Sequence, residues 1–286
     1  MKSMKKSLLG AAVCAALGFA TTAQAGVVID LFTDPVGGTQ AVATSTLGAT
    51  VTNQNPAVFP TASVIGGWRD LSITKTFDDV GFPNSGESRL AAGGGVLTVD
   101  NAVGNKSVAV VTWDGSNIAG NSGSFVNPFG LGGVDLTAGG AANAIFAQVI
   151  QADLGFDYKI TLWDMDGSKS VLEAGVQFGV SSAISADYLF SWFNLANGQY
   201  CNGVVAPPLC TNPATELDFK ITRTGGLIDF TKIGAMQLEL SNVSTASVDM
   251  ALGTIVTVPE PGALALVGIA LLGAGVASRR VLTVKR

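Results

Sequence analysis

The chain has 286 residues, of which 13% are charged, 48% are hydrophobic, 36 are glycine and none is histidine. Those proportions exclude charge-driven disorder and a helical bundle, and the missing His excludes a Ser-His-Asp triad, a Cys-His dyad and His-ligated zinc. Between Gly26 and Val258 stand 9 Lys and Arg against 20 Asp and Glu, a net charge of −11, so this segment is a poor partner for phosphate backbones and nucleic acid is excluded as a ligand.

Residues 1–25 carry Lys2, Lys5 and Lys6, an apolar run from Leu8 to Ala20, and Ala23-Gln24-Ala25. A basic start, a short apolar stretch and an A-x-A site make a secretory signal peptide, so the mature chain is expected to begin at Gly26. Residues 26–257 suffice for one large β domain or two small ones. Gly26 to Phe32 reads as a first strand, and Thr33 to Ser63 as short edge strands and loops. Strands follow at Gly66–Phe77, Gly94–Asp100 and Ser107–Gly115, the last closing on an Asp-Gly turn signal. After a Gly, Asn and Ser loop at 117–127, strands are predicted at Ala144–Gln151, Tyr158–Trp163, Gly175–Val180, Tyr188–Phe193, Glu216–Arg223, Met236–Leu240 and Ser247–Val258. Leu217, Phe219 and Ile221 alternate with Asp218, Lys220 and Thr222, the mark of a strand with one dry face. About a dozen short strands with almost no helical period predict an all-β antiparallel sandwich, of jelly-roll rather than immunoglobulin-like character.

Cys14 lies in the signal segment, which leaves Cys201 and Cys210 closing the loop CNGVVAPPLC. In an oxidising compartment a disulfide between them is expected. A metal or nucleophilic thiol pair is the alternative, and it lacks a His or a further Cys to complete it.

The end of the chain is the most specific stretch. Val258-Pro259-Glu260-Pro261 precedes an uncharged run of small and aliphatic residues, followed by Arg279, Arg280, Lys285 and Arg286. The prolines bar helix from extending backwards. Residues 262–277 as a helix reach roughly 24 Å at about 1.5 Å per residue. Ser278 and the stems of Arg279 and Arg280 extend that reach toward a bilayer core of about 30 Å. A single transmembrane helix over 262–278 is therefore predicted. The basic end stays cytoplasmic, which puts the rest of the chain outside.

This 258–286 segment closely resembles the PEP-CTERM sorting signal of exported Gram-negative proteins. The resemblance implies removal of the tail by an exosortase, a membrane cysteine protease, on the way to the cell surface or the exopolysaccharide matrix. Pro259, Glu260, Pro261, Arg279 and Arg280 are the residues that match the motif. The segments GLGGVDLT (Gly130–Thr137), LWDMDG and DFTKIGAMQLEL are similar, more loosely, to parts of other PEP-CTERM ectodomains, which look like sandwiches of carbohydrate-binding-module type.

Three kinds of candidate site remain. Asp164, Asp166 and Gly167 form a D-x-D-G with Asp153 and Asp157 upstream, a pattern that could hold calcium. Gly175 stands where a calcium loop needs its last Glu, so a plain hairpin turn is the competing reading. Sugar binding calls for exposed rings: Trp68, in Gly-flanked GGWRD, and Trp192, near Tyr188 and Tyr200, are the candidates, while Trp113 and Trp163 end apolar strands and read as core. Glycoside hydrolysis needs only two carboxylates, but no pair stands out. The expected function is therefore structural or adhesive work in an extracellular polysaccharide or biofilm layer, without catalysis. A lectin-like module is the alternative and a hydrolase a distant third.

Overall fold

The computed structural model describes residues 26–33, 39–54, 61–79, 86–116, 126–176, 180, 183–201, 218–242 and 246–259. In chain order the strands are β1 (Val28–Asp30), β2 (Gln40–Thr44), β3 (Thr50–Gln54), β4 (Asp70–Phe77), β5 (Ser88–Gly93), β6 (Val96–Asn101), β7 (Lys106–Trp113), β8 (Ala144–Ala152), β9 (Phe156–Asp164), β10 (Lys169–Val176) and β11 (Ile184–Leu189). A one-turn helix α1 (Phe190–Phe193) follows, then β12 (Gly198–Cys201), β13 (Asp218–Thr224), β14 (Ile233–Ser241) and β15 (Met250–Val258).

All named strand pairs are antiparallel, in two sheets. Sheet A runs β11-β8-β15-β6-β5-β2, with β1 also on β15, and sheet B runs β12-β13-β10-β9-β14-β7-β4-β3. One apolar cluster, with side chains from both sheets, fills the space between them, so the fold is a β-sandwich. Period-two alternation on either side of an irregularity produces it: in β15 Met250 and Leu252 are buried around half-exposed Ala251, Ile255 and Thr257 around half-exposed Val256, and the parity changes at buried Gly253. Tyr158 of β9 and Tyr188 of β11 meet edge to face across the sandwich at 5.7 Å. Burial pushes the Tyr158 phenol up to about 12.

The sequence-based strands mostly fall on observed ones, with three differences. The strand expected at Gly175–Val180 is instead β10, which begins at Lys169 and pairs along its whole length with β9. The stretch expected as strand at Tyr188–Phe193 splits: β11 ends at Leu189 and the chain turns into α1, burying Phe190 and Phe193. β5, the Ala-rich SRLAAG, and β12 had too little alternation to be seen in isolation. Among the described residues no helix is long and apolar enough to cross a membrane. The predicted signal peptide at 1–25 and transmembrane helix at 262–278 both lie outside the described residues.

A polar cluster sits inside the apolar core. Arg69 and Asp30 are both 0% exposed, and Arg69 Nη1 donates to Asp30 Oδ1 at 2.9 Å. Arg69 Nε donates to Gln40 Oε1 at 2.9 Å, and the Gln40 amide donates back to the Arg69 carbonyl at 2.9 Å. Trp113 Nε1 donates to Asp30 Oδ2 at 2.8 Å and the Phe32 amide to Asp30 Oδ1 at 2.6 Å. Burial raises the pKa of Asp30, against the opposing pull of Arg69 and of the hydrogen bonds from Trp113 and Phe32. Removing one partner from such a pair strands a charge in the core. Arg69→Met is therefore expected to destabilise the domain by about 3–5 kcal/mol in equilibrium urea unfolding, and an effect under about 1 kcal/mol would show the pair to be dispensable.

Candidate functional site

Two hollows merit comparison. The first, about 90 Å³, lies between the sheets and is walled by core side chains such as Trp113, Ile145, Tyr158 and Leu238. It offers a polar ligand almost nothing to bond. The second is an open groove of about 580 Å³ on the outer face of sheet B, lined by Asp157, Lys159, Glu173, Gln199, Lys220 and Glu239 among others. Its openness and polar floor suit a hydroxyl-rich ligand.

Strand alternation and register build this floor. β9 turns Phe156, Tyr158, Ile160 and Leu162 inward, which forces Asp157, Lys159, Thr161 and Trp163 outward. Glu239 of β14 stands opposite Lys159, Lys159 opposite Glu173 of β10, Glu173 opposite Lys220 of β13, and Lys220 opposite Gln199 of β12. The result is a straight row of alternating charges: Lys159 Nζ lies 3.0 Å from Glu239 and 3.9 Å from Glu173, and Lys220 Nζ lies 3.3 Å from Glu173. Burial works against the Lys159 ammonium, but the Glu239 hydrogen bond and the charges of Glu239, Glu173 and Asp157 outweigh it and hold its pKa above the usual lysine value. The next row toward Trp163 is uncharged at its centre, with Thr112, Gln237, Thr161, Val171 and Thr222 in register and Asp70 at its flank.

Trp163 lies two residues further along β9. It is half-buried on the outer face, with the Lys169 ammonium 5.1 Å from its ring centroid. The expectation that Trp163 is core is therefore corrected: it ends an apolar strand, but on the polar parity. Trp113, on β7, is core as expected, 1% exposed. Trp68 is half-buried and extended just after a 3-10 turn at Ile65–Gly67. Alternation sends Arg69 inward, so Trp68 and Asp70 share the outer side of sheet B. Trp192 sits in α1 with its ring stacked on Phe219 at 4.8 Å and 19°, so one of its faces is already covered. The structure thus brings Trp68 and Trp163 to the same face, and leaves Trp192 packed against the core elsewhere.

Asp164 is buried, and its carboxylate is spent on backbone amides. Oδ1 accepts from Asp166 and Ser168 at 3.0 and 2.9 Å, and Oδ2 from Asp229 at 3.1 Å. This is the hydrogen-bonding of a turn, and it ties the β9–β10 hairpin to the loop before β14. Asp166 is exposed, Asp153 accepts from the Asp249 amide at 2.8 Å, and no group of three or more acidic or Cys side chains suited to a metal occurs among the described residues. Cys201 ends β12 with its side chain outside the described residues, as are Cys210, Glu260, Pro261, Arg279 and Arg280, while Pro259 is the last residue described.

Sequence reasoning missed the ladder. Lys159, Glu173, Lys220 and Glu239 are far apart in the chain, and only the outward parity of each, already visible in LDFKITR, hinted at it. It also missed the acidic pair on the flank. Asp70 Oδ1 is buried with no hydrogen-bond partner, while Asp114 is held by Ser116 and Asn127. Burial, then the Asp114 charge, push the Asp70 pKa up from 3.8 to about 7. The folded state thus keeps a proton that the unfolded chain releases, so this group costs nothing below the unfolded value and weakens the fold as pH rises through about 7. Asp70→Asn is expected to raise the melting temperature at pH 8, leave it nearly unchanged at pH 4 and so flatten the profile between them; an unaltered slope would refute the assignment.

Fold and face together define an antiparallel two-sheet scaffold with a polar groove on the outer face of sheet B. Residues 257–280 match the PEP-CTERM protein-sorting motif. The chain therefore carries a PEP-CTERM sorting signal, the mark of an exported exosortase substrate directed to the cell surface. The match begins within β15 and includes none of the rest of the sandwich. No curated protein matches the chain.

The signal emerges from a defined place. β15 is paired to its last residue, Val258 opposite Ala144. The Val27 amide donates to Thr257 Oγ1 at 2.8 Å, and the Thr257 amide donates to the Val27 carbonyl at 2.8 Å. Gly26 fits here because a Cβ would fall 1.4 Å from the Thr257 carbonyl oxygen. The expected start of the mature chain and the root of the sorting tail therefore lie side by side.

Proposed function

We propose that this protein is a structural and adhesive component of an extracellular polysaccharide or biofilm layer, delivered by its C-terminal signal and acting by binding rather than turnover. The observation that supports this most is the pairing of a surface-sorting tail with an open, polar, preformed groove on one outer face. Processing runs through a membrane-anchored stage: the 262–278 helix holds the chain in the bilayer until an exosortase cuts near Pro259-Glu260-Pro261. A disulfide between Cys201 and Cys210 closes the loop after β12 once the chain is outside. The eight strands β6-β15-β8-β11 and β7-β14-β9-β10 follow a jelly-roll path, with the remaining strands widening both sheets, in keeping with the carbohydrate-binding-module-like ectodomain.

A second reading, a lectin-like module with saccharide specificity, is favoured by the placement of Trp163 and Trp68 on the same face as the groove. Ring faces stack on pyranose C–H surfaces, while Lys159, Glu173, Gln199 and Glu239 offer donors and acceptors for hydroxyls. At the β9–β10 turn the Asp164 carboxylate is taken up by the amides of Asp166, Ser168 and Asp229, which favours the hairpin-turn reading over calcium.

Two outcomes are expected. Trp163→Ala should weaken retention of the protein on its own host's exopolysaccharide by about 10-fold or more, the scale of losing one well-packed aromatic contact, with Trp192→Ala much less effective. Equal retention by both variants and the parent would remove Trp163 from the contact face. Glu260→Ala should leave the tail uncut, read by intact mass as a chain that still ends at Arg286. A processed mass in that variant would remove the exosortase reading and leave the groove untouched.

A further inference from the structure

Lys75 and Asn105 meet inside the sandwich beside a carboxylate. Lys75 shares the inward parity of β4 with Leu71 and Ile73 and is 1% exposed. Its cross-strand partner in β7 is Ser107, which is also buried. Asn105 stands two residues before Ser107, on the same face, and is 0% exposed. Such diagonal neighbours lie about 7–8 Å apart at the backbone, a gap that a lysine side chain spans.

A shared acceptor holds the two side chains together. Lys75 Nζ donates to the Gly86 carbonyl at 3.4 Å and Asn105 Nδ2 donates to the same oxygen at 3.2 Å, so amine and carboxamide lie within two hydrogen-bond lengths of each other. Gly86 suits this place, because its φ is +70° and a Cβ there would fall 2.7 Å from the Ala102 Cβ. The Asn105 backbone is fixed as well: its amide donates to the Ala102 carbonyl at 3.0 Å, and its carbonyl accepts from the Ser247 amide at 2.8 Å and from Asn242 Nδ2 at 3.3 Å. Asp78 completes the group, with Oδ2 3.1 Å from Lys75 Nζ.

These are the parts of an amide-forming reaction. A primary amine attacks a carboxamide when it is unprotonated, held close to the carbon and served by a group that carries protons. The Asp78 carboxylate takes a proton from the Lys75 ammonium, and the freed Nζ lone pair adds to Asn105 Cγ. The Cγ–Nδ2 bond then breaks, and ammonia leaves with the proton that Asp78 returns. Atoms and charge balance without an oxidant or a cofactor.

We propose that Lys75 and Asn105 become joined by an Nζ–Cγ amide bond, formed inside the folded domain with Asp78 as proton carrier and ammonia as the second product. The covalent ring contains the β5–β6 hairpin of sheet A and closes it onto β4 and β7 of sheet B. That side of the sandwich then cannot open without breaking a covalent bond, whatever the groove binds.

The test is peptide mapping of the full chain folded in and recovered from its native host. Loss of ammonia lowers the mass by about 17 Da. Trypsin should release residues 70–89 and 90–106 as one branched species, uncut after Lys75 and joined through Lys75 and Asn105. Asn105→Asp should form the same link with a loss of about 18 Da, since water leaves in place of ammonia. Lys75→Arg and Asn105→Ala should each give separate peptides, and Asp78→Asn should leave most chains unlinked. A parent that yields residues 70–75 and 90–106 as separate peptides overturns the proposal. So does a loss of ammonia confined to a single peptide, and full linkage in Asp78→Asn overturns the role given to Asp78.

Discussion

The buried Asp30–Arg69 pair is the constraint around which the rest of the sandwich is arranged. Asp30 belongs to sheet A through β1, Arg69 leads into β4 of sheet B, Gln40 is in β2 of sheet A and Trp113 in β7 of sheet B. Four separate stretches must arrive together, in one geometry, before either charge is satisfied. A charge left alone in this core costs several kcal/mol, so alternative packings of the two sheets are penalised far more sharply than a purely apolar core would penalise them. Lys75 repeats the device further along β4, with its ammonium 3.1 Å from Asp78 and within hydrogen-bonding reach of the Ser45 and Gly86 carbonyls. Between them the two cations pin β4 to the loops on either side.

The topology makes the end of the chain structurally indispensable. β14 lies between β7 and β9, and β15 between β6 and β8, so the last two strands fill the gap between an earlier half and a later half of each sheet. Neither sheet is continuous until they are in place. Because β15 runs directly into the sorting signal, the same nine residues complete sheet A and present the tail. Its pairing with β1 brings the expected start of the mature chain to the same pole. Both ends of the described sandwich therefore leave from one place.

Much of this was legible in the chain and some was not, for identifiable reasons. The strand at Asp218–Thr224 could be read from alternation alone, because one of its faces is dry and the other wet. Ala-rich β5 could not, since alanine is at home on either face. The Tyr188–Phe193 stretch looked like a strand because six residues with four aromatics have β character, but the chain needed to bury Phe190 and Phe193 from a turn, and packing overrode propensity. Trp163 was misjudged because a strand's apolar content does not say which parity its last residue takes. Arg69, beside a tryptophan in a glycine-flanked turn, has every mark of a surface residue; only a carboxylate 39 positions earlier in the chain makes its burial possible.

By itself the sequence determined destination and class. The expected signal peptide at one end, the PEP motif at the other, the absence of histidine and the period-two pattern are local features, and each is read without a distant partner. What only the tertiary structure decided is every relation between residues remote in the chain: the buried ion pair, the register that lines up Glu239, Lys159, Glu173 and Lys220, and the common face of Trp68 and Trp163. Hydrogen-bonded registers and the shift of parity at each strand set those relations, and a one-residue slip in any strand would move its side chains to the other face.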